Sequence, residues 1–328
     1  MIIMRYKVLV TAPYMQLVID RFRHIFETEG IELIVPPFQE RFEEQELLEL
    51  VEDVDGVICG DDRFTERVLR AAGRLKVLSK WGTGIDSIDQ AACKRLGVAV
   101  CNTPNAFSKP VADSVLGYVL NFARRLLLLD RMMREGTWRK TDSVALHECT
   151  LGVIGVGNVG KEVVRRAIAF GMRVLGNDLV EIPSDFLAET GIEMTSKREL
   201  LCQADFVSLN CTLNQTSFHL MSDAEFALMK PTAVVINTSR GPVVDEPALV
   251  RALQEKRIAG AALDVFEIEP LPAESSLLAM NNVMLAPHNA NSGAEAWERV
   301  HQNTIRNLLE VLKGEVKWKR EETTCRLY

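Results

Sequence analysis

The chain has 328 residues, more than one compact domain usually holds, so two domains are expected. Hydrophobic residues make up 47% and charged residues 25%, a mixture that argues against disorder. The formal net charge of −7 leaves no electrostatic footprint for nucleic acid or an acidic membrane. Seven cysteines (Cys59, Cys93, Cys101, Cys149, Cys202, Cys211 and Cys325) are scattered without a CxxC pair. They read as reduced thiols of a cytoplasmic protein, not as a disulfide frame or a metal site. No apolar run reaches the roughly 18 residues that span a bilayer. The start, MIIMRYKVLV, runs into a strand pattern and offers no signal-peptide cleavage site.

KVLVT (7–11) predicts a first strand, followed by a helix whose apolar face runs through Val18, Phe22, Ile25 and Phe26. IELIV (31–35) reads as a second strand. An amphipathic helix with Leu47, Leu48 and Val51 on one side comes next. GVICG (56–60), KVLS (76–79) and GVAVC (97–101) supply further strands with helices between. A long helix is expected over 109–135, with no strand of its own. A second α/β series then opens at TLGVIGVGNVG (150–160) and continues through MRVLGND, ADFVSLN, AVVINTS, IAGAALDV and NNVMLAP. A helix over 294–312 follows, and the tail KWKREETTCRLY reads as a solvated end. Strands alternating with helices indicate two doubly wound parallel-sheet α/β domains, Rossmann-like and flavodoxin-like, with a cleft between them.

Gly155, Gly157 and Gly160 form a GxGxxG run, weak alone but placed here between a strand and an amphipathic helix. The first glycine permits the tight turn, the second lets backbone approach a pyrophosphate, and the third lets helix pack on strand. The helix N-terminus adds positive potential for phosphates. The next strand ends in Asp178, about twenty residues beyond Gly160, where a carboxylate accepts hydrogen bonds from ribose hydroxyls. It would repel the 2′-phosphate of NADP, and no arginine follows it, so NAD is preferred. The competing reading makes Asp178 a loop cap.

Three further motifs sit at strand ends, where open α/β sheets hold ligands. They are 237–241 (NTSRG), 264–270 (DVFEIEP) and 286–289 (APHN). Singly, Arg240 reads as a surface charge, Glu269 as a solvated acid and His288 as a cap. Together and in this order they read as a catalytic set.

These motifs, with WGTGIDSID and NTPNAFSKPVADSVLGYVL, resemble the D-isomer-specific 2-hydroxyacid dehydrogenases over about Lys76 to Leu312. The nearest branches in kind are the D-3-phosphoglycerate and D-glycerate dehydrogenases. The resemblance implies an NAD-dependent enzyme that interconverts a D-2-hydroxy acid and its 2-keto acid. His288 would be the acid–base, paired with Glu269, and Arg240 would bind the substrate carboxylate. Backbone amides at Thr83 and Gly84 would share that carboxylate. Asp264 would lie near the nicotinamide carboxamide. Asn158, Val159, Cys211, Thr212, Ser217, Thr238 and Ser239 match positions that touch the dinucleotide. Lys80 stands where phosphoglycerate dehydrogenases carry arginine, so it would meet either an anionic substrate end or solvent. No metal is implied.

The resemblance also implies a discontinuous substrate-binding domain, 1–102 plus 291–328, interrupted by an NAD-binding domain, 103–290. The stretch RRLLLLDRMMREGTWRK resembles the family's dimer arm, which implies a homodimer; its other reading is a packed helix and loop. Two other functions stay open on the same fold: a dinucleotide-sensing corepressor-like scaffold and a phosphite-type dehydrogenase. Formate dehydrogenases carry glutamine where Glu269 stands, which argues against that chemistry.

Overall fold

The computed structural model describes residues 5–315; the polar tail and Cys325 lie outside them. The chain divides into two compact units. One joins the residues up to Ala106 with those from Gly293 on, and the other runs from Phe107 to Ser292.

The first unit is built on strands β1 (Tyr6–Val10), β2 (Ile31–Ile34), β3 (Gly56–Cys59), β4 (Val77–Lys80) and β5 (Ala99–Cys101). All pairs are parallel, in the order β2-β1-β3-β4-β5, the flavodoxin-like arrangement. Leu9, Val57, Cys59, Leu78 and Val100 bury one face against Leu47, Val68 and Cys93, which come from helices Glu44–Leu50, Glu66–Ala71 and Gln90–Leu96. Helix Ala294–Lys313 lies against the sheet through Val300, Thr304, Ile305, Leu308 and Leu312, spaced along one helical face. Its Thr304 carbonyl accepts the Ser79 hydroxyl at 2.8 Å, and a Cβ on Gly56 would stand 2.9 Å from Leu308.

The second unit holds β6 (Thr150–Ile154), β7 (Arg173–Asn177), β8 (Glu193–Met194), β9 (Phe206–Leu209), β10 (Val234–Asn237), β11 (Gly260–Leu263) and β12 (Val283–Leu285). The order β12-β11-β10-β9-β6-β7-β8 is the doubly wound dinucleotide-fold arrangement with one added strand, parallel throughout. Both faces are covered. Along β10, Val234 and Ile236 pack in one apolar cluster while Val235 packs in the other, as the two-residue period requires.

Three expectations change. The long helix breaks into Ser108–Arg124 and Leu126–Arg134, because Arg125 adopts a left-handed conformation (φ 53°) and the Asn121 side chain takes the Leu127 N–H at 3.0 Å. The helix expected around Val18 to Phe26 is three short pieces, Pro13–Gln16, a 3₁₀ turn Ile19–Arg21, and Arg23–Thr28. The two-residue β8 was not expected at all. No described helix is long and apolar enough to cross a membrane.

Candidate active site

The carboxyl ends of the seven strands carry the site. β6 feeds Gly155 (φ 88°), and helix Asn158–Ala169 starts three residues later. A Cβ on Gly155 would stand 2.8 Å from the Asn210 carbonyl carbon and the Cys211 nitrogen, and one on Gly160 would stand 2.0 Å from the Gly155 oxygen. Gly157 is different: nothing lies within 4 Å of its Cβ position, and the residue is exposed. Two glycines therefore serve the protein's own packing, and the middle one keeps a surface bare in front of a helix N-terminus, whose first N–H groups have no intrahelical partners. The loop after β9 lies against this turn at the point where strand order reverses, the usual ligand crevice of such sheets.

Asp178 follows β7, and its carboxylate accepts the Val156 N–H at 2.6 Å and the Val180 N–H at 3.1 Å. One oxygen thus braces the glycine turn and the other caps the loop that follows Asp178, leaving lone pairs for further donors. With Leu179, Val180, Ile182 and Leu187 it borders a recess of about 500 Å³. Burial pushes the Cys211 thiol up to about 11, with the Asp178 charge adding to the shift, so it is a neutral wall. The buried Ser217 hydroxyl donates to the Thr212 carbonyl at 2.6 Å and accepts the Asn214 N–H at 2.9 Å, so it shapes the loop.

β10 delivers Asn237, whose side chain accepts from the Ser239 N–H and hydroxyl and donates to the Arg240 carbonyl at 2.9 Å. One Arg240 Nη donates to the Ser239 carbonyl at 2.9 Å. Gly241 lets this loop meet the next one, since a Cβ there would fall 1.8 Å from the Phe266 oxygen. The Thr238 hydroxyl is buried with no hydrogen-bond partner among the described residues. That orphaned polar group and the bare Gly157 surface suit a dinucleotide carrying its own donors and acceptors.

β11 delivers Asp264, which is 1% exposed. Its carboxylate accepts the Asn289 and Ala290 N–H groups, each at 2.8 Å, and its carbonyl accepts the His288 N–H at 2.7 Å. His288 is held at φ 52°, a strained conformation for a non-glycine residue. Its Nδ1 meets Glu269 Oε2 at 3.0 Å, and Glu269 Oε1 accepts the Phe266 N–H at 3.0 Å. Both side chains are about one-quarter exposed, 27% and 28%. Burial, the Asp264 charge and a hydrogen bond to Asp264 push the Tyr118 phenol up. Sequence reasoning missed Tyr118 and gave no role to Asn237 and Gly241, though both lie in the 237–241 motif. A signal was present only in the small residue following Arg240.

In the first unit, Thr83 sits in the loop after β4, its hydroxyl donating to the Thr103 carbonyl at 3.0 Å, with Gly84 half-buried beside it. Lys80 is not solvated: its side chain is 4% exposed and pairs with Asp61 at 2.9 Å.

A parallel sheet with a glycine-rich turn and an acidic residue closing the next strand is the arrangement of dinucleotide-binding domains. Residues 116–290 match the D-isomer specific 2-hydroxyacid dehydrogenase NAD binding domain. A glyoxylate reductase of Thermococcus onnurineus is 37% identical over 324 residues, 95% of each chain. A D-3-phosphoglycerate dehydrogenase of Methanocaldococcus jannaschii is 36% identical over 94% of this chain and 58% of its own length. The D-lactate dehydrogenase of Aquifex aeolicus, solved with NAD and lactic acid, superposes with a TM-score of 0.85 at 27% identity, covering 94% of this chain and 96% of its own. The chain belongs to the D-isomer-specific 2-hydroxyacid dehydrogenase family. It is an NAD-dependent enzyme acting on CH–OH groups.

Proposed function

We propose that the chain reduces a small 2-keto acid to its D-2-hydroxy acid, and runs the reverse reaction, with His288 as acid–base. The 3.0 Å contact between His288 and Glu269 at the carboxyl ends of β11 and β12 carries this reading. When bound, NADH supplies the hydride to the carbonyl carbon. His288 gives its proton to the carbonyl oxygen, and Glu269 steadies the imidazolium that must form first. Arg240 holds the substrate carboxylate with a charge that neutral pH cannot remove. Lys80 and the backbone amides of Thr83 and Gly84 are substrate-binding groups, which makes 1–102 plus 291–328 the substrate-binding domain and 103–290 the NAD-binding one.

Gly155 and Gly160 shape the turn that, through Gly157, Asn158 and Val159, holds the pyrophosphate, and Asp178 takes the ribose hydroxyls and disfavours a 2′-phosphate. Cys211, Thr212, Ser217, Thr238 and Ser239 border the dinucleotide. Asp264 is the group beside the carboxamide, and the same carboxylate fixes the backbone that follows His288. The protein works in the cytoplasm as a homodimer.

The test is reduction of glyoxylate, hydroxypyruvate and pyruvate by NADH in the wild type and in His288→Asn. We expect kcat to fall by about 10²–10⁴-fold, with NADH affinity kept within about threefold. Unchanged turnover in His288→Asn sinks the assignment.

A further inference from the structure

Lys80, the last residue of β4, is a charged group buried where a ligand would be expected. Its ammonium is held by Asp61 Oδ1 at 2.9 Å and by the Trp81 carbonyl at 3.3 Å. Removing an ammonium from water costs several kcal/mol unless a partner compensates it. A lysine buried this way is a built feature, not a surface side chain folded back. Asp61 lies two residues beyond β3, the neighbour of β4. Asp62 follows it, buried, its carboxyl taking the Thr11 hydroxyl at 2.6 Å and the Gly60 N–H at 2.9 Å.

In the order β2-β1-β3-β4-β5 the winding reverses between β1 and β3, and ligands bind outside the carboxyl ends of strands at such a point. Tyr14 follows β1 there. Its ring lies tilted against Trp81 at 5.3 Å and against Trp297 at 4.9 Å, and the two indoles meet edge-on at 5.6 Å. This strand-end edge thus holds an ammonium already matched by a carboxylate and a cluster of three aromatic rings, while the Asp62 carboxyl is buried and serves the loop itself.

We propose that this edge selects the substituent carried by the 2-keto acid, accepting hydrogen, alkyl or hydroxymethyl and rejecting phosphate. It rests on the dehydrogenase reading and narrows its substrate. A phosphate dianion needs unspent positive charge, commonly a guanidinium fork. Here the ammonium charge is balanced by Asp61, whose own charge repels the phosphate. The aromatic faces carry the negative lobe of the ring quadrupole and favour apolar or weakly polar groups. The selection therefore lies in the Lys80–Asp61 pair as a unit, not in Lys80 alone.

The experiment compares hydroxypyruvate with phosphohydroxypyruvate, which differ only in the phosphate, in the wild type and in Asp61→Asn. We expect wild-type kcat/KM to favour hydroxypyruvate by about tenfold or more, and Asp61→Asn to move that ratio toward the phosphate by about tenfold. Binding of D-glycerate and 3-phospho-D-glycerate, read by tryptophan fluorescence, measures the same selection without turnover. A wild type that prefers the phosphorylated ligand overturns the proposal whether or not Asp61→Asn folds. So does a folded Asp61→Asn with an unchanged ratio. A protein that binds D-glycerate preferentially but reduces no keto acid supports the selection and sinks only the dehydrogenase reading.

Discussion

Gly155, Gly157 and Gly160 stand within six residues, and a side chain would meet different surroundings at each. At Gly160 the obstacle is the Gly155 carbonyl at 2.0 Å, backbone that cannot step aside. At Gly157 there is none, so any selection for glycine must come from a ligand. Two substitutions separate the roles. Gly160→Ala is expected to lose about 1–3 kcal/mol or more of stability, as overpacking does. Gly157→Ala should melt within about 2 °C of the wild type yet bind NADH about tenfold more weakly. Thermal unfolding and fluorescence titration check both; equal NADH binding by a stable Gly157→Ala would place the pyrophosphate elsewhere. His288 belongs beside these glycines as a backbone case. Its φ of 52° is held by the Asp264 carbonyl on its own N–H and by the Asp264 carboxylate on the next two.

Helix Ala294–Lys313 shows how one buried titratable group ties an element to its sheet. His301, 3% exposed, accepts the Trp81 indole N–H on Nδ1 at 2.9 Å. Burial holds its pKa below the ordinary value, against the opposing pull of Glu298. Below about pH 6.5 the unfolded chain takes up a proton that the folded one resists, so this stability is present above that pH and is lost as pH falls. His301→Asn is expected to lose about 2–4 °C less in melting temperature than the wild type between pH 7 and pH 5. Parallel slopes in calorimetry would show that His301 is not the group. At this scale the strands were legible in the sequence because β-branched runs bounded by turn residues are a local signal. Glu193–Met194 was not, being two exposed residues that owe their strand geometry to β7. The break at Arg125 was equally hidden: RRLLLLDRMMR holds no glycine or proline, and the stop comes from Asn121, six residues before the N–H it takes. The strand-end motifs could be read one by one. What the sequence could not carry was their mutual bracing, because Tyr118 with Asp264 and Gly241 with Phe266 meet only through the fold.

For the whole molecule, several exposed apolar side chains of the described residues fall close together in the sequence of the second unit. Leu126 is 52% exposed, Leu127 54%, Met133 52% and Trp138 88%. Where such side chains adjoin, they form the kind of apolar surface through which the proposed homodimer would associate. Light scattering is expected to give twice the chain mass, and Leu127→Glu to shift the protein toward the single-chain mass by at least about tenfold in dissociation constant. A monomeric wild type at micromolar concentration would exclude the dimer. The helix Ala294–Lys313 carries a different consequence. Ser79 is bonded to Thr304, 225 residues further along, and Gly56 fits under Leu308. On the ribosome the five strands of the first unit emerge long before the helix that lies against them. All of Phe107 to Ser292 is made in between, so the second unit can finish folding while the first still waits with apolar surface uncovered. A stretch made only after the whole second unit is the one that covers the first sheet, which leaves that sheet exposed to aggregation while the chain is being made.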